Sequence, residues 1–175
     1  MKHTIALILI PLSLMALSCS KTREEELIGL WQETAVINPQ LDQTIRDQAA
    51  FSDSVGRSTD ADANLALYGT SDIDSFRIEL KNNLDAYRKA QSEAVNATKF
   101  DFRKGGIMYI HSGDGLDSSN WYLDEDGALV LDEAKLKGTG SKISMQILDL
   151  SDTSLKLQYT EKFLSSTAVF KPVKK

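Results

Sequence analysis

The stretch Phe100-Asp101-Phe102-Arg103-Lys104-Gly105-Gly106-Ile107-Met108-Tyr109-Ile110-His111 decides the fold class. Phe100 and Phe102 alternate with Asp101 and Arg103. That two-residue period belongs to a strand with one face on a core and the other in water. Lys104-Gly105-Gly106 makes a tight turn, because glycine tolerates positive φ. Ile107 to His111 then returns as the next strand. The pattern continues downstream. A loop at Gly113-Asp114-Gly115 and Ser118-Ser119 leads to a strand from Asn120 to Asp124. Asp124-Glu125-Asp126-Gly127 turns, and Ala128 to Leu131 comes back. A longer loop ends at Gly138-Thr139-Gly140-Ser141. Ile143, Met145 and Ile147 alternate inward, Ser151-Asp152-Thr153 turns, and Leu155, Leu157 and Tyr159 alternate again. A last strand, near Thr167 to Lys171, ends at Pro172.

Upstream, Leu30 to Ile37 is apolar and β-branched and stops at the turn signal Asn38-Pro39. This gives about eight strands, most joined by connections too short for anything but antiparallel neighbours. The expectation is a mainly β, α+β chain: an antiparallel eight-stranded barrel or a strongly curled sheet. Closure into a barrel removes exposed edges.

A helical insertion, about residues 40–95, separates the first strand from the rest. Leu41, Ile45 and Ala49 recur every fourth residue, so a short helix is expected there. Asp53-Ser54-Val55-Gly56 and Ser58-Thr59-Asp60 read as loop. The clearest helix runs from about Asp72 to Val95, capped by Ser71 or Asp72. Ile73, Phe76, Leu80, Leu84 and Tyr87 form its apolar stripe, expected to pack on the barrel.

The 175 residues suggest one domain, and 42% apolar with 26% charged residues is ordinary for a globular chain. A net charge of −5 argues against a nucleic-acid partner, which calls for a basic stripe. With a single cysteine, no intramolecular disulfide can form.

That cysteine, Cys19, ends an N-terminal address. Met1-Lys2-His3 and a mostly apolar run from Ile5 to Leu17 fit a secretory signal over residues 1–18. The run is shorter than the ~20 apolar residues that span a bilayer. Ala16-Leu17-Ser18-Cys19 resembles the bacterial lipobox, with Ala16 where that family more often has Leu. The resemblance implies lipidation of Cys19, attachment to the membrane, and, with Ser20 next, the outer membrane of the cell envelope. A plain secreted protein with a free thiol is the alternative. Residues 19–28 then form a charged tether or the first turn of a small helix.

Gly29-Leu30-Trp31 at the first strand matches the Gly-x-Trp of lipocalins and of lipocalin-like domains in small bacterial lipoproteins. Phe102-Arg103-Lys104-Gly105-Gly106 and the pair Ile147–Leu150 with Leu155–Leu157 resemble later segments of those domains. The resemblance covers residues 29–37 and 98–171, within a domain of 29–175, and leaves out the insertion. It implies that Gly29 and Trp31 are structural, Trp31 closing the bottom of the barrel.

Catalytic chemistry finds little support. Cys19 and a single histidine beyond the leader, His111, exclude a His/Cys zinc site, and neither a metal nor another cofactor is expected. His111 and Ser112 are neighbours on a strand and point to opposite faces, so they make no triad. Residues 122–133 carry part of a calcium-loop pattern, but strand-like flanks favour a hairpin turn at Asp124–Gly127. Two functions from different classes follow. One is a non-catalytic module for a small apolar or amphiphilic ligand, with Tyr109, Trp121, Tyr122 and Tyr159 as candidate contacts. The other is a solid barrel whose insertion contacts an envelope protein.

Overall fold

The computed structural model describes residues 21–56, 60–113 and 115–174. Eight antiparallel strands close into a barrel in sequence order: β1 (Gly29–Ile37), β2 (Lys99–Arg103), β3 (Ile107–Ser112), β4 (Gly115–Leu123), β5 (Leu129–Asp132), β6 (Lys142–Ser151), β7 (Ser154–Glu161) and β8 (Leu164–Pro172). The ring is completed where β1 pairs with β8, Trp31 opposite Pro172 and Val36 opposite Ala168. Barrel closure was one of the two forms expected, and it leaves no strand edge unpaired across the ring.

Hairpin register turns the two-residue period into a core. Phe102 lies opposite Met108, and Trp121 opposite Leu131. Leu129 lies opposite Met145, and Leu155 opposite Phe170. All eight are buried and pack in one cluster with Leu27, Trp31, Ile147, Leu157 and Ala168. The rings meet edge to face or tilted: Phe102 on Trp121 at 5.3 Å and Phe100 on Phe170 at 4.7 Å. The turn after β2 requires its glycines, with φ of +88° at Gly105 and +80° at Gly106.

One end of the barrel is stoppered by α1 (Arg23–Leu27). Thr22 and Glu25 form a reciprocal capping box: each side chain accepts from the other's backbone N–H. Leu27 at its end is fully buried, and its carbonyl accepts a 2.8 Å hydrogen bond from the Trp31 indole N–H. The intervening Gly29 has φ of +143°, a conformation closed to side-chain-bearing residues, and this gives the Gly-x-Trp spacing a physical reason. Of the two expectations for residues 19–28, the structure has the helix, and its last turn belongs to the barrel core rather than to a solvated spacer.

The insertion holds α2 (Pro39–Ser54), α3 (Ala61–Tyr68) and α4 (Ile73–Ala97). Asn38 caps α2, and Asp72 caps α4 through the Ser75 amide at 3.1 Å. The α4 stripe does not lie on the barrel as expected. Leu80, Leu84 and Tyr87 line a groove shared with Leu41, Ile45 and Phe51 of α2. Tyr68 of α3 touches both Phe51 and Phe76, at 6.3 and 6.2 Å between ring centroids. The N-terminal half of this α4 face therefore packs against α2 and α3, and its C-terminal continuation, through Arg88, Gln91 and Val95, reaches β1. Three further expectations are revised. The region read as loop before Asn120 is strand from Gly115 to Ser119. The long loop before Ser141 contains α5 (Glu133–Lys137). Ile143, opposite inward Leu131, is 47% exposed at the barrel rim.

Leu27→Ala should lower stability by about 2–5 kcal/mol, the usual result of emptying a filled core position, read as a shifted denaturant midpoint. Leu84→Asp should unfold the helical layer while the barrel persists: far-UV helical signal falls and near-UV tryptophan signal stays.

Candidate functional site

Strand parity separates the four aromatic candidates. Trp121 is inward and buried, its indole N–H donating to the Arg103 carbonyl at 3.2 Å. It is part of the packed core. Tyr122, the next residue, faces out, and the ammonium groups of Lys135 and Lys142 sit 5.0 and 5.7 Å from its ring centroid. Tyr109 lies outside opposite Asp101 and Ser118, on the other face from inward Met108. Tyr159 alone both faces in and remains partly open. The four do not form one pocket, because adjacent strand residues cannot share a face.

The polar atoms inside the barrel gather around Tyr159 instead. Glu33 lies two residues after Trp31 and therefore on the same face, opposite buried Phe170 on β8. It is 7% exposed. Its amide donates to the Thr98 carbonyl at 3.0 Å, and the Thr98 hydroxyl donates to the Ala94 carbonyl at 2.9 Å. Burial pushes the Glu33 carboxyl up to about 7, since removing water disfavours the charged form, and the polar Thr98 side chain opposes the shift. Burial also raises the Tyr159 phenol, helped by the Glu33 charge and opposed by a hydrogen bond with Ser166. Ser166 is buried and accepts from the Asn38 side-chain amide at 2.9 Å. The same Asn38 accepts from the Leu41 amide, also at 2.9 Å, to start α2. One asparagine thus caps the insertion and ties it to β8.

Immediately after Glu33 the β1–β8 register slips, with Thr34 as the extra residue. The bulge borders a cleft of about 460 Å³ between β1 and the C-terminal half of α4, lined by Glu33, Val36, Arg88, Gln91, Val95 and Thr98 among others. Glu33 is its one acidic lining residue and Arg88 its one basic one; Arg88 reaches Asp85 at 3.5 Å. Sequence reasoning passed over Glu33, although counting two from Trp31 would have placed it inward.

Asp124 and Glu133 hold turns and loops. Asp124 accepts from the amides of Asp126 and Ala128 at 3.1 and 2.9 Å, the bonds of a hairpin turn rather than a cation loop. Glu133 accepts from both the amide and hydroxyl of Ser141 at 2.9 Å and closes the α5 loop, while Lys137 pairs with Asp117. His111 lies opposite Lys99 and Leu116, with Ser112 on the other face. Among the described residues no three His, Cys, Asp or Glu side chains gather to hold a metal. Cys19 and the signal segment lie outside the described residues. The sequence matches no protein-family model and no curated protein.

Glu33 imposes a pH dependence on folding. The unfolded carboxyl loses its proton near 4.5 and the folded one near 7, so the native state binds that proton more tightly. Stability should fall as pH rises through this window and level off above it. Glu33→Gln, which keeps the hydrogen-bonding shape, should match the wild type at acid pH and exceed it by on the order of 2–3 kcal/mol above neutrality, measured by denaturant titration across pH. A difference that stays constant with pH would contradict this.

Proposed function

We propose that this chain is a lipid-anchored envelope protein, its barrel of the lipocalin-like kind, that holds a small apolar or amphiphilic molecule without transforming it. The observation carrying this reading is the cleft beside the buried Glu33. Its volume is within the ~300–1,000 Å³ typical of small-molecule sites, and it combines aliphatic contacts from Val36 and Val95 with polar ones from Glu33, Arg88, Gln91 and Thr98. The aromatic half of the barrel is filled by Trp31, Phe102, Met108 and Phe170, so the ligand is assigned to the cleft bordering Glu33 at the polar half.

Anchoring is assigned to acyl chains on Cys19, with outer-membrane residence following from Ser20. Several chains together hold firmly where one holds weakly, at about 0.8 kcal/mol per buried CH₂. In the sequence Cys19 stands a few residues ahead of α1, whose last residue, Leu27, is buried in the barrel core. Among the described residues no helix is long and apolar enough to cross a membrane.

A second reading, contact with an envelope protein through the insertion, is favoured by the exposure of Leu65, Leu67 and Ile78 on α3 and α4. Native mass spectrometry of the purified full-length product separates the two. A small molecule retained by the wild type and lost from Val95→Trp, which fills the cleft, is the expected result. A bare protein that co-purifies with a stoichiometric protein partner would favour the second reading. Radiolabelled palmitate should mark the wild type and leave Cys19→Ser unmarked.

A further inference from the structure

We propose that the β1–α4 cleft selects a cationic amphiphile, an alkyl chain ending in an ammonium group, with Glu33 receiving the positive charge. This rests on the binding-module reading and adds the ligand's chemical class.

Glu33 lacks a counter-charge among the described residues. Its carboxylate is buried, and the Thr98 side chain that acts on it is neutral, with its hydroxyl donating to the Ala94 carbonyl at 2.9 Å. Among the described residues no Lys, Arg or His forms an ion pair with it; the nearest basic group lining the cleft, Arg88, is directed to Asp85. A buried carboxylate without a counter-charge is disfavoured, and an incoming ammonium supplies both the charge and the N–H donors. Fatty acids would bring a second negative charge to the same place. Alcohols could donate to the carboxylate but would leave its charge uncompensated.

The rest of the cleft suits the remainder of such a molecule. Val36 on β1 and Val95 on α4 offer aliphatic contact to a chain, and both line the same cleft as Glu33. The protein's net charge of −5 favours approach of cations over anions. The ionisable groups sharing the surroundings of Glu33 are Tyr159 on β7 and Arg88 on α4, with Glu161 acting on Tyr159. The Tyr159 phenol is raised above its ordinary value and stays neutral through the neutral range. Ionisation of Glu33 is therefore the event that sets charge selectivity, and it runs from roughly one tenth to nine tenths complete across the pH unit on either side of its midpoint.

Dodecylamine, dodecanol and dodecanoate are the probes, each kept below its micelle concentration and titrated calorimetrically into the full-length protein. The amine should bind about tenfold more tightly than the alcohol around pH 8, and this preference should shrink several-fold around pH 6. Glu33→Gln should abolish the preference while still binding dodecanol. If the wild type binds dodecanol, loses it in Val95→Trp, and yet shows no amine preference, the cation assignment fails and the binding module stands. An amine preference that survives Glu33→Gln also overturns the assignment. If none of the probes binds and Val95→Trp changes nothing, both readings fall.

Discussion

The bond from the Trp31 indole to the Leu27 carbonyl organises the molecule. A buried indole N–H without a partner is unfavourable, so the ring settles only where α1 brings a carbonyl within 2.8 Å. That settlement fixes the start of β1, and β1 is the strand that meets both β2 and β8. Once Trp31 points inward, period-two alternation sends Glu33 inward as well. The stopper at one end of the barrel and the carboxyl farther along it are consequences of one register.

The same strand explains why the two ends differ. Near Trp31 the interior is aromatic and filled, with Phe102, Trp121 and Phe170 in contact around it. Beyond Glu33 the bulge at Thr34 shifts the pairing, and the interior becomes polar through Asn38, Tyr159 and Ser166. A packed half stabilises; a polar half, with its carboxyl held near neutrality, has chemistry to spare. The insertion grows from the polar half. Asn38 joins the two by capping α2 with one side-chain atom and bonding β8 with another.

Most of the strand layout was legible from alternation and turn residues, because a half-buried strand must alternate and a tight turn favours glycine or asparagine. The long helix was legible for the parallel reason of its 3.6-residue stripe. Its partner was not: a stripe announces that a face is covered but not by what, and here α2 and α3 cover it. The helix α3 escaped detection because Ala-Asp-Ala-Asn-Leu-Ala-Leu-Tyr lacks an amphipathic pattern. The capping box of Thr22 and Glu25 was present in the letters and went unread within a charged run. The aromatic site failed on parity, since Trp121 and Tyr122 are adjacent and cannot both look inward. Glu33 was hidden differently: a single acidic letter in a strand carries no sign of its burial until the opposite strands are in place.

Because β1 is hydrogen-bonded to β8, the first and last strands of the barrel are partners despite the whole chain lying between them. Contacts of such sequence separation form late, since chain ends must search a large volume before they meet. A ribosome that releases this polypeptide from its N-terminus therefore delivers an open ribbon, unable to become a ring until Leu164–Pro172 has emerged. Until then the unfinished sheet carries unpaired edges, and the burden of keeping them from self-association passes to whatever escorts the nascent chain.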